Sequence, residues 1–238
     1  MKIGILNADP ATYVIDQQTD PEKIKQFFRA DGADLEFTTY EAAHGELPES
    51  IEAADVFLIS GSPHSVYDGL PWISDLEQFI QCCYAQHKKL IGICFGHQLI
   101  AQALGGQVTK SDNGWVVGLH EISLYQRPPW LSPARPRCAL YFINQDQVVT
   151  LPPHAELIGG NELCPHAIYT IGEQVLSIQA HPEQPARFLR AVIDFLGPTI
   201  NPEAQEKALA SLEKRQPDDR LVARWIINFI ASESFNKL

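Results

Sequence analysis

A cysteine stands between two glycines at an abrupt change of sequence pattern, in the stretch Gly92-Ile93-Cys94-Phe95-Gly96. The apolar run before it, residues 90–93, is typical of a buried strand, and helical spacing begins directly after it. A strand that enters a helix through G-x-C-x-G makes the tight turn called a nucleophile elbow. This turn presents the Cys94 thiol above the carboxyl ends of the strands, and the positive end of the helix favours a thiolate there. The alternative is a buried structural cysteine, which is our interpretation of Cys83.

A thiolate nucleophile needs a base that protonates the leaving group, and His181 differs from the other histidines. It ends the apolar segment VLSIQA and is followed by Pro182 and Glu183. Proline disfavours the helical conformation at the preceding residue, so His181 and Glu183 are predicted to be extended and on the same side. The carboxylate then fixes the imidazole tautomer, which completes a Cys-His-Glu triad. The remaining histidines are interpreted as structural or solvated, with His97 as a packing residue: His44, His64, His87, His97, His120, His154 and His166.

Acyl transfer also requires hydrogen-bond donors for the oxygen that becomes negative. The backbone N–H of Phe95, at the predicted helix start, is one candidate. The second is expected in the loop after a neighbouring strand, where Gly61 follows the apolar segment DVFLIS and allows close approach of a substrate. The alternative for Gly61 is an ordinary glycine turn.

Alternating strands and helices are predicted to hold these residues. Strands are expected at residues 2–6, 35–40, 55–60 and 90–93, and helices at 21–28, 71–87 and 95–104, with Asp20 as an N-cap. This alternation favours an α/β fold with a parallel sheet and helices on both faces.

The later part of the chain is predicted to add further strands and three helices. Short strands within residues 116–180 are interpreted as mixed or antiparallel additions, and helices follow at 184–196, 202–214 and 219–232. Asp218 and Asp219 are candidate caps of the last helix, whose apolar stripe we expect to pack on the protein's own core; partner docking is the alternative. We expect one domain, 1–238, with a core at 1–197 and a helical extension at 198–238.

The composition argues against several classes of function. The formal charge of -11 argues against a nucleic-acid partner, which needs a basic face. No stretch approaches the roughly 20 apolar residues of a membrane span, and the N-terminus lacks a signal-peptide pattern. Five cysteines without a C-x-x-C pair make a disulfide framework or a zinc site unexpected. We therefore expect a cytoplasmic protein without a membrane association.

Three motifs together resemble the class I glutamine amidotransferase family. Residues 92–98, GICFGHQ, match its G-x-C-x-G-x-Q, and residues 179–183, QAHPE, are similar to its closing Q-x-H-P-E. Residues 60–68, SGSPHSVYD, resemble the oxyanion loop of the GMP synthetase glutaminase domain, with Ser62 where a second glycine is usual. The resemblance covers most of residues 1–195 and implies a flavodoxin-like architecture: an open, mixed, mostly parallel sheet flanked by helices.

The resemblance also implies roles for particular residues. Cys94 would attack the glutamine side-chain amide, His181 would protonate the departing ammonia, and Glu183 would orient His181. Water would then hydrolyse the thioester to glutamate, with no cofactor and no metal. Further roles are implied for the oxyanion hole (Gly61 and Phe95), for glutamine contact (Gln98) and for a substrate-binding loop (Asn144, Gln145 and Asp146), in which Asn144 stands where the family often has histidine.

The fate of the nitrogen stays open at this point. Family members usually deliver ammonia to a synthetase partner or a fused domain, and this sequence contains no G-x-x-x-x-G-K-[ST] phosphate loop. Either a separate synthetase accepts the ammonia, or the enzyme is a free-standing hydrolase of glutamine or another γ-glutamyl amide or peptide. A non-catalytic regulatory module on the same fold is a further alternative, as is a redox or acyl-acceptor role for Cys94.

Overall fold

The computed structural model of the protein describes residues 1–10, 18–30, 32, 34–112 and 114–232. Its strands, in chain order, are β1 (Lys2–Leu6), β2 (Glu36–Tyr40), β3 (Val56–Ile59), β4 (Lys89–Ile93), β5 (Gln107–Lys110), β6 (Val116–Leu124), β7 (Arg137–Asn144), β8 (Asp146–Thr150), β9 (Ala155–Gly160), β10 (Ile168–Ile171) and β11 (Val175–Ile178). Its α-helices are α1 (Asp20–Arg29), α2 (Pro71–Ala85), α3 (Phe95–Ala103), α4 (Ala186–Leu196), α5 (Pro202–Lys214) and α6 (Asp219–Ala231), and short 3-10 helices lie at Ala42–His44, Ile51–Ala53 and Gly197–Thr199.

In these residues a central sheet of nine strands runs in the order β2-β1-β3-β4-β11-β10-β9-β6-β7. The first five strands are parallel, and the pairs from β11 onward are antiparallel. β5 and β8 form a separate antiparallel pair. The predicted α/β class with a mixed, largely parallel sheet is confirmed.

The register of the central strands brings the predicted site residues to one edge. β4 pairs with β11 so that Ile93 lies opposite Ile178, and β3 pairs with β4 so that Ile59 lies opposite Gly92. Because parallel strands end at the same edge, the segments that follow β3, β4 and β11 meet there.

Some local predictions are wrong. The sequence patterns do not predict strands β5, β8 and β9. The N-cap of α1 is Thr19, whose backbone N–H donates to the Glu22 carboxylate at 2.9 Å. Asp20 is the first helical residue and instead pairs with Lys23 at 3.3 Å.

The start of α6 also differs from its prediction. Asp218 occupies the N-cap position, but its side chain makes no capping hydrogen bond. Its carboxylate instead accepts from the backbone N–H of Ala139 at 2.8 Å and from Arg215 at 2.6 Å. Asp219 accepts from the N–H of Arg220 at 2.8 Å. The Asp218 carboxylate, which the sequence pattern predicts as a helix cap, therefore binds the Ala139 N–H on β7 instead.

The apolar stripe of α6 packs on the protein's own core, as predicted. It joins the large cluster between α1, α6 and one face of the sheet, through Val222, Trp225, Ile226, Phe229 and Ile230. Burying each of these side chains contributes about 1.5–3 kcal/mol. The division into a 1–197 core and a 198–238 extension stays a prediction. Across the described residues, no helix combines the length and the hydropathy that a membrane span requires.

Candidate active site

Cys94 lies at the turn between β4 and α3 in a backbone conformation that L-residues rarely adopt, with φ 51° and ψ -103°. Such strain persists where the surroundings enforce it, and it is found at functional sites. The glycines on either side explain how the turn closes. A Cβ on Gly92 would lie 2.7 Å from the Gly96 carbonyl oxygen, and a Cβ on Gly96 would overlap the Ile59 carbonyl. The predicted elbow is therefore present.

His181 and Glu183 form the predicted pair directly after β11. The His181 Nδ1 lies 2.7 Å from Glu183 Oε1, and both side chains are buried. Since an ionised carboxylate only accepts hydrogen bonds, Nδ1 carries the proton and Nε2 is left for other chemistry. The backbone N–H of His181 donates to the Tyr141 carbonyl at 2.7 Å, which anchors this loop to β7.

The thiol and the imidazole meet above Gly61. A Cβ placed on Gly61 would lie 3.0 Å from His181 Cε1 and 3.8 Å from Cys94 Cβ. The Cys94 Sγ also lies 3.9 Å from the Ile143 carbonyl oxygen. The elbow, the Gly61 loop and the His181 loop thus converge on one point at the sheet edge.

The charge environment of His181 favours its protonated form. Burial alone lowers the pKa of an imidazole, but the electrostatic interactions and hydrogen bonds with Cys94 and Glu183 outweigh it and hold the pKa of His181 well above its usual value. A protonated imidazole beside a thiolate is the arrangement that attacks a carbonyl and then protonates the leaving group.

Two backbone N–H groups are available near the thiol. Within the described part of the chain, neither Gly61 nor Phe95 donates its N–H to a backbone or side-chain acceptor. The Gly61 loop is held against α3 because the Gly96 N–H donates to the Ser60 carbonyl at 3.1 Å. The Ser60 hydroxyl in turn accepts from the Ala8 N–H at 2.9 Å. These contacts hold the Gly61 loop next to the start of α3, where the Phe95 N–H lies.

Every predicted site residue except Glu183, which lies behind His181, lines one cavity of about 460 Å³. This volume falls in the range of small-molecule sites, about 300–1,000 Å³. The predicted residues on the cavity wall are Gly61, Cys94, Phe95, Gln98, Asn144, Gln145, Asp146 and His181.

The substrate-loop residues are tied together by their own hydrogen bonds. The Gln98 Nε2 donates to the Asp146 carbonyl at 2.9 Å and to Gln179 Oε1 at 3.0 Å, and the Asn144 Nδ2 donates to the same Asp146 carbonyl at 3.1 Å. The Gln145 carbonyl accepts from the Ser111 N–H at 2.9 Å. The side-chain amides of Gln98 and Asn144 therefore hold the loop around Asp146 in place.

Two residues that shape the site, Ser65 and Tyr67, are not predicted from the sequence. The Ser65 hydroxyl and the Tyr67 hydroxyl donate to the two Asp146 carboxylate oxygens at 2.5 and 2.7 Å. Both lie in the segment that resembles an oxyanion loop, but no local pattern links them to Asp146. Gln179 lies in the closing motif, and its contact to Gln98 gives that glutamine a structural role.

His97 is the packing residue that the sequence predicts. It is fully buried, its Nδ1 lies 2.9 Å from the Ser177 hydroxyl, and its ring contacts the Tyr169 ring, with centroids 4.9 Å apart and the planes tilted by 51°. Burial lowers the pKa of His97 to about 3, so the ring stays neutral. Of the histidines interpreted as structural or solvated, His64 lies on the cavity wall, where it pairs with Asp68 at 3.0 Å.

The fold and the gathered side chains define a class: α/β proteins with cysteine, histidine and glutamate side by side at the carboxyl edge of a parallel sheet. The family model for class-I glutamine amidotransferases matches residues 14–189. The chain belongs to this family, and the resemblance carried by its motifs is confirmed.

Similar proteins lie in several branches of the family. γ-Glutamyl peptidase 3 of Arabidopsis thaliana is 30% identical over 203 residues, covering 80% of this chain and 81% of that protein. The glutamine-hydrolysing GMP synthase of Porphyromonas gingivalis is 28% identical over 141 residues, covering 59% of this chain and 27% of that protein. A glutamine amidotransferase from Thermotoga maritima has the same fold, with TM-score 0.78 at 18% identity over 97% of this chain and 98% of that one.

Proposed function

We propose that this protein hydrolyses γ-glutamyl amide bonds through a thioester on Cys94. The observation that carries the proposal is the convergence of Cys94, His181 and two unpaired backbone N–H groups on one cavity. A nucleophile, an acid–base group held by a carboxylate, and oxyanion donors are the parts that acyl transfer requires.

The acylation step uses all of these groups. The Cys94 thiolate attacks the γ-carbonyl carbon, and the carbonyl oxygen becomes negative between the N–H groups of Gly61 and Phe95, each donor supplying roughly 3 kcal/mol of transition-state stabilisation. His181 then gives its proton to the nitrogen as the C–N bond breaks. The amine leaves, and a glutamyl thioester remains.

Deacylation restores the enzyme with one water molecule. The imidazole, now neutral, takes a proton from water as the oxygen attacks the thioester carbonyl. The C–S bond breaks, glutamate is released, and the thiolate and imidazolium are again in place. Glu183 accepts a hydrogen bond from Nδ1–H through both steps and so holds the ring orientation.

The glutamyl head group fits the charged side of the cavity. Asp146 and Lys110 are cross-strand neighbours of β8 and β5, and both line the cavity. An anion beside a cation complements the α-ammonium and α-carboxylate of a glutamyl group. Ser65 and Tyr67 hold the Asp146 carboxylate in place.

The leaving group distinguishes two candidate substrates. γ-Glutamyl peptides are favoured because a relative named for that activity matches along most of its length. Glutamine, with ammonia passed to a synthetase partner, is the second candidate. It is favoured by the family itself and by the match to a glutamine-hydrolysing synthase.

A labelling experiment with a matched thiol control tests the proposal. A chloroketone analogue of glutamine should modify Cys94 and block turnover, whereas the exposed Cys82 should react only with a general alkylating reagent. Cys94→Ala should abolish release of glutamate from glutamine and from γ-glutamyl dipeptides, and Cys82→Ser should retain it. Glutamate release by the Cys94→Ala protein, or label on Cys82 instead of Cys94, would exclude the proposed mechanism. Absence of glutamate release by the wild-type protein would leave the regulatory-module alternative.

A further inference from the structure

Helix α4 turns an apolar stripe toward the cavity. Phe188, Val192 and Phe195 lie at positions i, i+4 and i+7 and so share one helix face. All three line the cavity, together with Leu196. Phe195 is 62% exposed, the highest value among the large apolar side chains of the described residues. An apolar surface in the wall of an active-site cavity points to an apolar part of the ligand.

Apolar residues outside α4 extend the same surface. Trp115, just before β6, and Ile143, on β7, also line the cavity. Both pack against the small core cluster to which α4 contributes Leu189 and Ile193. We call these six cavity-lining residues the apolar bay: Trp115, Ile143, Phe188, Val192, Phe195 and Leu196.

The wall that carries the bay is held in place by buried polar contacts. The Gln184 Nε2 donates to Asp20 Oδ1 at 3.0 Å, and Asp20 pairs with Lys23 at 3.3 Å. The Lys23 ammonium lies 3.7 Å from the centre of the Phe188 ring. Gln184 and Lys23 are almost fully buried, so the position of Phe188 is set by the fold.

One residue of the bay lies beside the nucleophile, because the Ile143 carbonyl oxygen is 3.9 Å from the Cys94 Sγ. His181 protonates the departing nitrogen in the proposed reaction, Gln184 follows three residues later, and α4 begins at Ala186. The charged neighbours Asp146 and Lys110 lie on β8 and β5, in the small separate sheet. With a γ-glutamyl group on Asp146 and Lys110 and its γ-carbonyl at Cys94, the substituent on the leaving nitrogen is left with the part of the cavity that α4 lines.

We infer that the apolar bay is a subsite for an apolar substituent on the leaving nitrogen. The inference rests on the proposed function and narrows its substrate class to γ-glutamyl peptides whose second residue carries a large apolar side chain. Ammonia, the leaving group of glutamine, has no carbon atom to place in the bay. Continuity with the catalytic cavity favours a substrate group over a partner protein as the occupant.

The test compares two dipeptides that differ in the side chain that the bay would hold. The wild-type protein should hydrolyse γ-Glu-Phe with kcat/KM about tenfold or more above that for γ-Glu-Gly, because an apolar pocket discriminates by the area it buries. Phe188→Ala should bring this ratio down severalfold. Phe195→Asp, at an exposed position that tolerates a charge, should also lower it. Arg190→Ala, on the same helix but paired with Glu213 at 3.1 Å, should keep the wild-type ratio.

A binding measurement separates this inference from the proposed function. Calorimetry with the Cys94→Ala protein should show tighter binding of γ-Glu-Phe than of γ-Glu-Gly, whether or not either dipeptide is turned over. Equal affinities, or ratios that both α4 variants leave unchanged, would overturn the subsite and leave the stripe for a partner protein. Absence of turnover with a retained affinity preference would overturn the proposed hydrolysis alone.

Discussion

At the scale of single residues, the proposed chemistry depends on where one proton resides. His181 is buried, which alone lowers its pKa, but its interactions with Cys94 and Glu183 together outweigh burial and raise that pKa. The imidazolium is the acid of the first step, and it disappears as the pH rises through that pKa. Activity should therefore fall on the alkaline side where His181 loses its proton.

Glu183→Gln should move that alkaline limit to lower pH. Removing the carboxylate removes a charge that favours the imidazolium, so the pKa of His181 falls. The pH profile of kcat/KM measures the shift, because it reports the acid of the free enzyme. His181→Asn should lower kcat/KM by about 10²–10⁴-fold at every pH, since no proton donor remains. An unshifted alkaline limb in Glu183→Gln would show that Glu183 does not control the His181 proton.

At the scale of elements, the elbow and the Gly61 loop use glycine for different reasons. The neighbours of Gly61 are the proposed catalytic side chains, with His181 Cε1 only 3.0 Å from the point that a Cβ would occupy, whereas Gly96 faces the Ile59 backbone. A side chain can move aside in part, but a backbone carbonyl in a central strand cannot. The same substitution should therefore affect activity at one position and folding at the other.

Gly61→Ala should lower kcat/KM by about 10²-fold while the protein stays folded, because an ångström-scale displacement of a catalytic group has that effect. Gly96→Ala should lower the free energy of unfolding by about 1–3 kcal/mol, the usual cost of overpacking. Urea denaturation and steady-state kinetics on both variants compare the two effects. A destabilised but fully active Gly61→Ala protein would contradict the placement of this loop in the site.

The local sequence pattern predicts the strands that are buried on both faces. β3 and β4 are buried along their whole length and, apart from Lys89, are continuous apolar runs. β5 and β8 are partly exposed, and they form a pair only through register between distant segments. β9 contains two glycines, and a Cβ on Gly160 would overlap the Pro165 carbonyl. Such pairings are set by tertiary contacts that no local pattern encodes.

The same distinction applies to the site. Cys94, His181 and Glu183 lie in compact motifs, where the chemistry needs a fixed spacing. Ser65 reaches Asp146 across 81 positions of the chain, and Gln184 reaches Asp20 across 164. These partners are determined by the fold, so the sequence alone indicates the reacting groups but not the residues that hold the substrate loop and the α4 wall.

At the scale of the whole molecule, the last helix is tied to the strand that leads into the elbow. The Lys89 ammonium, at the start of β4, donates to the carbonyls of Phe229, Ile230 and Ser232 at 2.7, 3.1 and 2.6 Å. Phe229 and Ile230 lie in the last turn of α6 and Ser232 is its C-cap, so their carbonyls have no backbone partner further along the helix. The Phe229 carbonyl also accepts from the Ser232 hydroxyl at 2.7 Å. The α6 stripe packs in the same core cluster as Ile91, Ile93 and Cys94. The hydrogen bonds of Lys89 thus join α6, the last described helix, to β4.

Lys89→Met should destabilise the protein without changing its chemistry. The substitution keeps the apolar stem but removes the donor to the Ile230 and Ser232 carbonyls, which lowers the free energy of unfolding by about 1–3 kcal/mol. Well below the unfolding midpoint, kcat/KM should equal the wild-type value, because Lys89 lies at the opposite end of β4 from Cys94. Lys207→Met is the matched control. Among the described residues, Lys207 pairs only with the exposed Glu203 on the same helix, α5, so this substitution should leave the urea unfolding midpoint unchanged. Equal midpoints for Lys89→Met and wild type would show that α6 is held by its apolar stripe alone.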